Sequence, residues 1–223
     1  MNRDYIPITG VLLVYNEAAV IGETIKHMKD HVREVLVVDT NSTDKTEDIA
    51  YENGATVLKI DWEADFALAR NRAMRHVNTE WTLFLDADER LSVDLWRIVP
   101  DLIGFADPPE PSRACSANVD AFYFWRKSIF DGELRGEEYQ PRLMRTQACE
   151  WQGKVHEGIK TFGSKKDVPK QFYMIHEHTM KRQNWNNLMY QRLLKGSKER
   201  PLENRGCENR NGEWVEFENE RNL

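Results

Sequence analysis

Two carboxylates one residue apart, Asp86-Ala87-Asp88, follow directly on the apolar run Trp81-Thr82-Leu83-Phe84-Leu85. They repel each other unless a cation, an arginine or a proton neutralises them. A hard divalent ion such as magnesium or manganese does so through oxygen ligands and keeps positions open for substrate phosphates, which points to a nucleoside diphosphate. Acid follows the other apolar runs as well: Tyr15-Asn16-Glu17 closes the first, Asp39 the second, and Asp61 to Asp65 the third. Asp39 and Asp44 also suit turns and helix caps. The chain has no glycine-rich phosphate loop of the dinucleotide or P-loop kind. A diphosphate would therefore be met by metal and by basic side chains, with Arg70 and Arg72 as candidates.

The elements that must position these groups alternate along the first half. Ile8–Tyr15, Glu34–Val38, Ala55–Ile60 and Trp81–Leu85 read as strands, and Glu17–Asp30, Lys45–Asn53 and Asp65–His76 as the helices between them. This order predicts an α/β fold with a mostly parallel Rossmann-like sheet and helices on both faces. Ligands of such sheets bind at the carboxyl ends of the strands, where the acids lie. Ser92–Leu102 reads as another helix and the triple-proline segment Asp107–Ser112 as a loop. Val119–Trp125, Pro141–Arg145, Lys154–Ile159 and Gln171–Ile175 are short strand candidates of a smaller antiparallel portion. Gln183–Leu194 is amphipathic, with Trp185, Leu188 and Leu193 or Leu194 on its apolar face.

The 223 residues suffice for one substantial core, and 31 basic against 37 acidic side chains leave a net charge of −6 that argues against nucleic acid as a partner. The longest apolar run, Val11–Tyr15, is far shorter than the roughly 20 residues of a membrane span, and Met1–Asp4 does not resemble a signal peptide. A cytoplasmic protein with no transmembrane segment is expected. Cys115, Cys149 and Cys207 are too widely spaced to suggest a disulfide framework or a zinc site.

Four stretches resemble, in order, the motifs of family 2 glycosyltransferases with the GT-A fold. They are Val11–Glu17, Val37–Thr46, Trp62 with Asp65–Asn71, and Leu85–Glu89. Pro141–Arg145, Val155–Gly158 and Ile175-His176 look like the branch containing lipopolysaccharide-core glucosyltransferases and their bacterial and phage relatives. The resemblance implies a GT-A-type sheet and a metal-dependent, inverting transfer of sugar from a nucleoside-diphosphate sugar, usually a uridine diphosphate sugar, to an acceptor hydroxyl. Manganese or magnesium is the implied cofactor. A saccharide, a lipid-linked glycan or a protein would serve as acceptor.

The same resemblance distributes the roles. Tyr15, Asn16, Glu17 and Asp39 would hold the base, Arg70 would approach the diphosphate, and Asp86 and Asp88 would hold ribose and metal. His176 would complete the metal shell, and His178 would share its side of the strand if the strand continues. Inversion needs a base opposite the leaving diphosphate. Glu157 stands at the matching position, in a His-Glu pair where Glu-Asp is the commoner ending; Asp131, Glu137 and Glu138 are alternatives. Trp125, Phe130 and Trp151 would serve as an acceptor platform or as core. The chain divides into a nucleotide-sugar half at 1–104, an acceptor and catalytic half of the same domain at 105–195, and a polar tail at 196–223. Two other readings are a sugar nucleotidyltransferase, whose basic glycine-rich N-terminal loop is absent, and a nonenzymatic nucleotide-sugar-binding protein. A haloacid dehalogenase phosphatase would carry Asp-x-Asp near the N-terminus followed by Gly, whereas Glu89-Arg90 follow here.

Overall fold

Nearly continuous runs of Val, Ile and Leu form four parallel strands, β1 (Ile8–Val14), β2 (Glu34–Asp39), β3 (Thr56–Lys59) and β4 (Trp81–Leu85). β1 lies between β2 and β4, and β3 pairs with β2. Helices α1 (Ile21–Met28), α2 (Thr46–Glu52) and α3 (Phe66–Met74) make the crossovers. Consecutive strand residues enter separate clusters: Leu12 and Leu85 pack with Ile21, Ile25 and Leu95, and Val11 and Phe84 with Ala73, Met144 and Trp151. Both faces of the sheet are thus covered at β1, β2 and β4, which is why these strands are largely apolar instead of alternating, whereas β3 at the edge starts and ends exposed. The computed structural model describes residues 7–105, 118–201, 206–210 and 213–217. The loop expected at Asp107–Ser112, Cys115 and Met1–Asp4 fall outside the described residues.

The second half extends the same sheet. β5 (Glu89–Leu91) leads into α4 (Val93–Leu102), whose first turn is capped by Ser92 accepting the Leu95 N–H at 3.2 Å. β6 (Val119–Phe130) and β7 (Glu133–Arg145) form a long hairpin through Asp131-Gly132, both at positive φ. β8 (Cys149–Gln152) pairs with β9 (Gly158–Thr161) off the main sheet, and β10 (Ser164–Asp167) pairs with β6. β11 (Tyr173–His178) lies parallel to β6 and antiparallel to β5, completing the order β3-β2-β1-β4-β7-β6-β11-β5. Two antiparallel steps, β4 to β7 and β7 to β6, restore the original direction, so β11 ends on the same edge as β4. The histidines of β11 and the aspartates after β4 therefore reach one place.

Several segments differ from the sequence expectation, among them β7, which begins at Glu133 and not at Pro141. α1 starts at Ile21, not Glu17, because the Glu17 carbonyl accepts the N–H groups of Val20 and Ile21 in a turn. The strand expected over Lys154–Ile159 is interrupted by positive φ at Gly153 (100°) and His156 (55°), which turns the chain between β8 and β9. Described residues of the 196–223 stretch form a hairpin, β12 (Gly206–Arg210) and β13 (Glu213–Phe217). It packs on α5 (Met180–Leu194), where Gln191 exchanges two hydrogen bonds with the Trp214 backbone. Among the described residues no helix is long and apolar enough to cross a membrane.

On the far side of α1, Trp96 of α4 donates its indole N–H to Nε2 of His27 at 2.8 Å, and the His31 ring stacks on Trp96 at 4.3 Å. That bond requires an unprotonated His27 Nε2. Burial, then Arg90 and His31, lowers the His27 pKa from its ordinary value of 6.5. The unfolded chain therefore binds more protons, and this contribution to stability is full above about pH 6.5 and lost as pH falls through the depressed value. Urea unfolding of wild type and His27→Gln between pH 8 and pH 5 tests this. Wild type is expected to lose stability relative to the variant below about pH 6.5, and parallel profiles would exclude it.

Candidate active site

The chain turns tightly between β4 and β5. The Glu89 N–H donates to the Asp86 carbonyl at 3.0 Å, and the Asp86 N–H donates to Glu89 Oε2 at 3.1 Å. Glu89 is fully buried, a charge tolerable only with matched partners. Arg142 of β7 supplies them as a fork, Nε to Oε2 at 2.8 Å and Nη2 to Oε1 at 2.6 Å, and Arg126 of β6 adds a contact at 3.4 Å. Arg142 Nη2 also reaches Asp86 Oδ2 at 3.0 Å, while Arg70 of α3 holds Asp86 Oδ1 at 3.1 Å. Desolvation raises the Asp86 carboxyl, but Arg142 and then Arg70 outweigh it and keep the group well below the usual carboxylate range.

Asp88 faces β11 instead. Its Oδ2 lies 3.0 Å from His178 Nδ1 and 3.4 Å from His176 Nε2, and one ligand atom from each of the three residues lies within 4.8 Å of the others. The two histidines share a side because β11 runs on to His178. Desolvation raises the Asp88 carboxyl, yet hydrogen bonds from His176 and His178 hold it well below its ordinary value; Asp88 in turn raises His176 against its burial. One carboxylate and two imidazoles make a donor set that fits a divalent cation able to take nitrogen as well as oxygen.

Arg70 links this turn to Glu157. Its Nε donates to Glu157 Oε1 at 3.3 Å, its guanidinium lies 4.8 Å from the Trp151 ring, and its buried Nη1 has no hydrogen-bond partner. His156 stands at φ 55° immediately before Glu157, a conformation that costs a non-glycine residue energy. Arg70, Asp86, Asp88, Glu157 and His176 all line one cavity of about 990 Å³, as do Tyr15, Glu17, Thr40 and Trp151.

The remaining expected residues are distributed as follows. Asn16, at φ 53°, zips the loops after β1 and β2, its N–H donating to Ser42 Oγ at 2.9 Å and its Oδ1 accepting the Thr43 N–H at 2.7 Å. Asp39 is 2 % exposed and accepts the Ser42 N–H on Oδ1 at 2.9 Å, so Thr40, not Asp39, reaches the cavity wall. Glu138 lines the cavity and pairs with Arg126. Glu137 accepts the indole N–H of Trp125 at 3.1 Å, and Asp131 accepts the Met180 N–H at 3.1 Å at the start of α5. Arg72 pairs with Glu63 at the surface. Phe130 stacks on His178 at 4.3 Å.

Several residues at the site had no separate signal in the sequence. Arg142 sits inside the Pro141–Arg145 motif, which marked the segment without marking the side chain. Arg182 of α5 pairs with Glu17, and Arg200 donates to the Thr40 carbonyl and hydroxyl, each at 2.7 Å, with its guanidinium 3.6 Å from the Tyr15 ring. Tyr190 of α5 is half-buried on the cavity wall, its phenol raised by desolvation and by Asp86 and Glu157.

Comparison with known proteins adds the following. A family model described as Glycosyl transferase family 2 matches residues 11–166. A TPR repeat-containing protein of Synechococcus elongatus is 40 % identical over 99 residues, which is 44 % of this chain and 24 % of that protein. The glycosyltransferase SunS of Bacillus subtilis is 38 % identical over 87 residues, 38 % of this chain and 21 % of that one. The lipopolysaccharide core biosynthesis glycosyltransferase LpsC of Rhizobium meliloti is 26 % identical over 106 residues, 46 % of this chain and 39 % of that one. The matched stretches thus span well under half the length of these relatives. Among solved structures, glucosyl-3-phosphoglycerate synthase from Mycobacterium tuberculosis in complex with Mn2+, UDP and glucosyl-3-phosphoglycerate aligns with a TM-score of 0.41 and 25 % identity over 58 % of this chain and 46 % of that one.

The energetics of the turn are open to direct measurement. Glu89→Gln keeps the shape of the side chain and leaves the buried Arg142 and the half-buried Arg126 beside too little negative charge, a change expected to cost about 3–5 kcal/mol. Urea unfolding followed by tryptophan fluorescence checks it, and a loss below about 1 kcal/mol, the size of a surface pair, would refute the assignment.

Proposed function

Because the chain belongs to glycosyltransferase family 2, matched over residues 11–166, we propose that it transfers a sugar from a uridine diphosphate sugar to an acceptor hydroxyl with inversion and with the help of a divalent cation. The observation that carries this reading is the convergence of Asp88, His176 and His178 within 4.8 Å, with Asp88 and His176 on the wall of a cavity that Arg70 and Glu157 also line. We assign the cation to these three residues. Two imidazoles beside one carboxylate favour manganese over magnesium, which prefers oxygen throughout. When bound, the cation neutralises charge on the diphosphate leaving group.

Each protein group then has a task its surroundings support. Tyr15 and Glu17 border the donor's base and ribose, and Asn16 braces the loop that carries them. Asp39, buried behind the wall with Oδ1 on the Ser42 N–H, holds the loop that borders the base, and Thr40 stands at the wall in its place. Arg70 presents its unpartnered Nη1 to the diphosphate. Asp86, shared between Arg70 and Arg142, keeps both guanidiniums aimed and borders the ribose. Glu157 takes the proton from the acceptor hydroxyl as its oxygen attacks the anomeric carbon, and the sugar–phosphate bond breaks on the opposite face. Residues 1–104 supply the donor side and 105–195 the acceptor side.

Calorimetric titration with UDP tests the donor and cation assignments. Binding is expected with manganese and to be lost with chelator or in Asp88→Asn; equal affinity in all three conditions would remove the cation from the reading. Glu157→Gln, which still accepts from Arg70, is expected to leave UDP affinity intact while slowing transfer, or donor hydrolysis where no acceptor is supplied, by about 10²–10⁴-fold. A wild-type rate in Glu157→Gln would move the base to Glu138, the other acid considered that lines the cavity.

A further inference from the structure

We propose that Gln183, braced by Asn187, is a positioning residue that fixes the ring of His178 so that Nδ1 is the atom offered to the cation; this rests on the assignment of Asp88, His176 and His178 as cation ligands. Gln183 and Asn187 lie one turn apart on α5, both on the cavity wall. The Gln183 amide nitrogen donates to Asn187 Oδ1 at 2.9 Å, which turns Gln183 Oε1 toward His178 Nε2, 3.0 Å away. An amide oxygen only accepts, so Nε2 carries the proton, and in the neutral ring Nδ1 is left as a lone pair. That lone pair faces Asp88 Oδ2 at 3.0 Å. Two acceptors at that separation repel unless a proton or a cation is shared by them, and in the neutral ring the proton is on Nε2.

The other contacts of His178 do not make this choice. Phe130 stacks flat on the imidazole, with ring centroids 4.3 Å apart and planes 10° apart, and so fixes the plane of the ring. A half-turn about the ring's own bond leaves that plane unchanged but would turn carbon atoms toward both Asp88 and Gln183. The contacts to Asp88 and to Gln183 both select this orientation, and the one to Gln183 also fixes a proton on Nε2. His176 has no such brace, since its Nδ1 is buried without a hydrogen-bond partner. Of the two histidines, His178 is therefore the pre-oriented ligand. Its orientation is set by α5, which the chain enters one residue later through Thr179, whose hydroxyl caps the helix by accepting the Arg182 N–H at 3.2 Å.

The test uses the full chain without donor. Manganese affinity is read by electron paramagnetic resonance of the free ion, and the His178 tautomer by ring 15N–1H correlation in metal-free protein. Gln183→Leu removes the acceptor and is expected to weaken manganese binding about 10–100-fold. It should also replace the Nε2–H signature of His178 with a mixture of tautomers. Gln183→Glu keeps an acceptor and should bind manganese at least as tightly as wild type with the signature retained. Asn187→Ala frees the Gln183 amide to flip and should fall between, which gives an answer if the Leu variant does not fold. Wild-type affinity and an unchanged tautomer in both Gln183→Leu and Asn187→Ala would overturn the proposal. So would equal weakening in Gln183→Leu and Gln183→Glu. If wild type binds no manganese, the cation assignment fails by itself, and the tautomer comparison still decides whether Gln183 orients the ring.

Discussion

A carboxylate sealed from water is destabilising unless its charge is met at close range, and the centre of this molecule is organised around one such group, Glu89. Its partners come from β6 and β7, strands that lie next to each other beyond β4, so the two halves of the chain meet at one side chain. Arg142, while serving Glu89, also touches Asp86, whose other oxygen is held by Arg70. Positive and negative groups thus alternate from Glu157 through Arg70, Asp86, Arg142 and Glu89 to Arg126 and Glu138. This fixed chain of charges leaves Asp88, the next acid in the turn, to face β11.

The loops around the cavity are held by hydrogen bonds as well as by packing against α5. Asn16 and Asn41 both adopt positive φ, a conformation Asn tolerates better than most residues, and each spends its side chain on a neighbouring loop. Asn41 Oδ1 accepts the Trp62 N–H at 2.9 Å, tying the loop after β2 to the loop after β3. The strain at His156 is of the same kind and lies next to Glu157.

Much of this was legible in the sequence because the first half obeys one rule. Apolar runs without alternation mark strands covered on both faces, and β1, β2 and β4 follow that reading to within a residue at each end. The second half was harder for identifiable reasons. β5 is three residues long and begins with a buried glutamate, which no hydropathy pattern marks as interior. The outer part of the β6–β7 hairpin has solvent on both sides over Glu133–Glu138, so polar residues there look like loop. At the site, the aspartates, Arg70, Glu157 and His176 stood out by type and motif. Gln183, Asn187 and Arg142 did not, because an uncharged amide or one more arginine acquires meaning only from what faces it. His178 lay between these cases, since its role turned on whether β11 continued two residues further.

The register of β11 against β5 sets His176 opposite Glu89, and the Glu177 N–H donates to the Asp88 carbonyl at 3.1 Å. These partners are far apart along the chain, and closing so long a loop is entropically costly and slow compared with forming the β6–β7 hairpin. During synthesis the aspartate-bearing turn leaves the ribosome well before the strand that answers it. Until residue 178 has emerged, Asp88 has neither imidazole beside it, and the edge of β6 that β11 will cover has open backbone groups along Trp125–Phe130. The first half of the sheet can be complete while the cavity still lacks the walls that β11 and α5 bring to it.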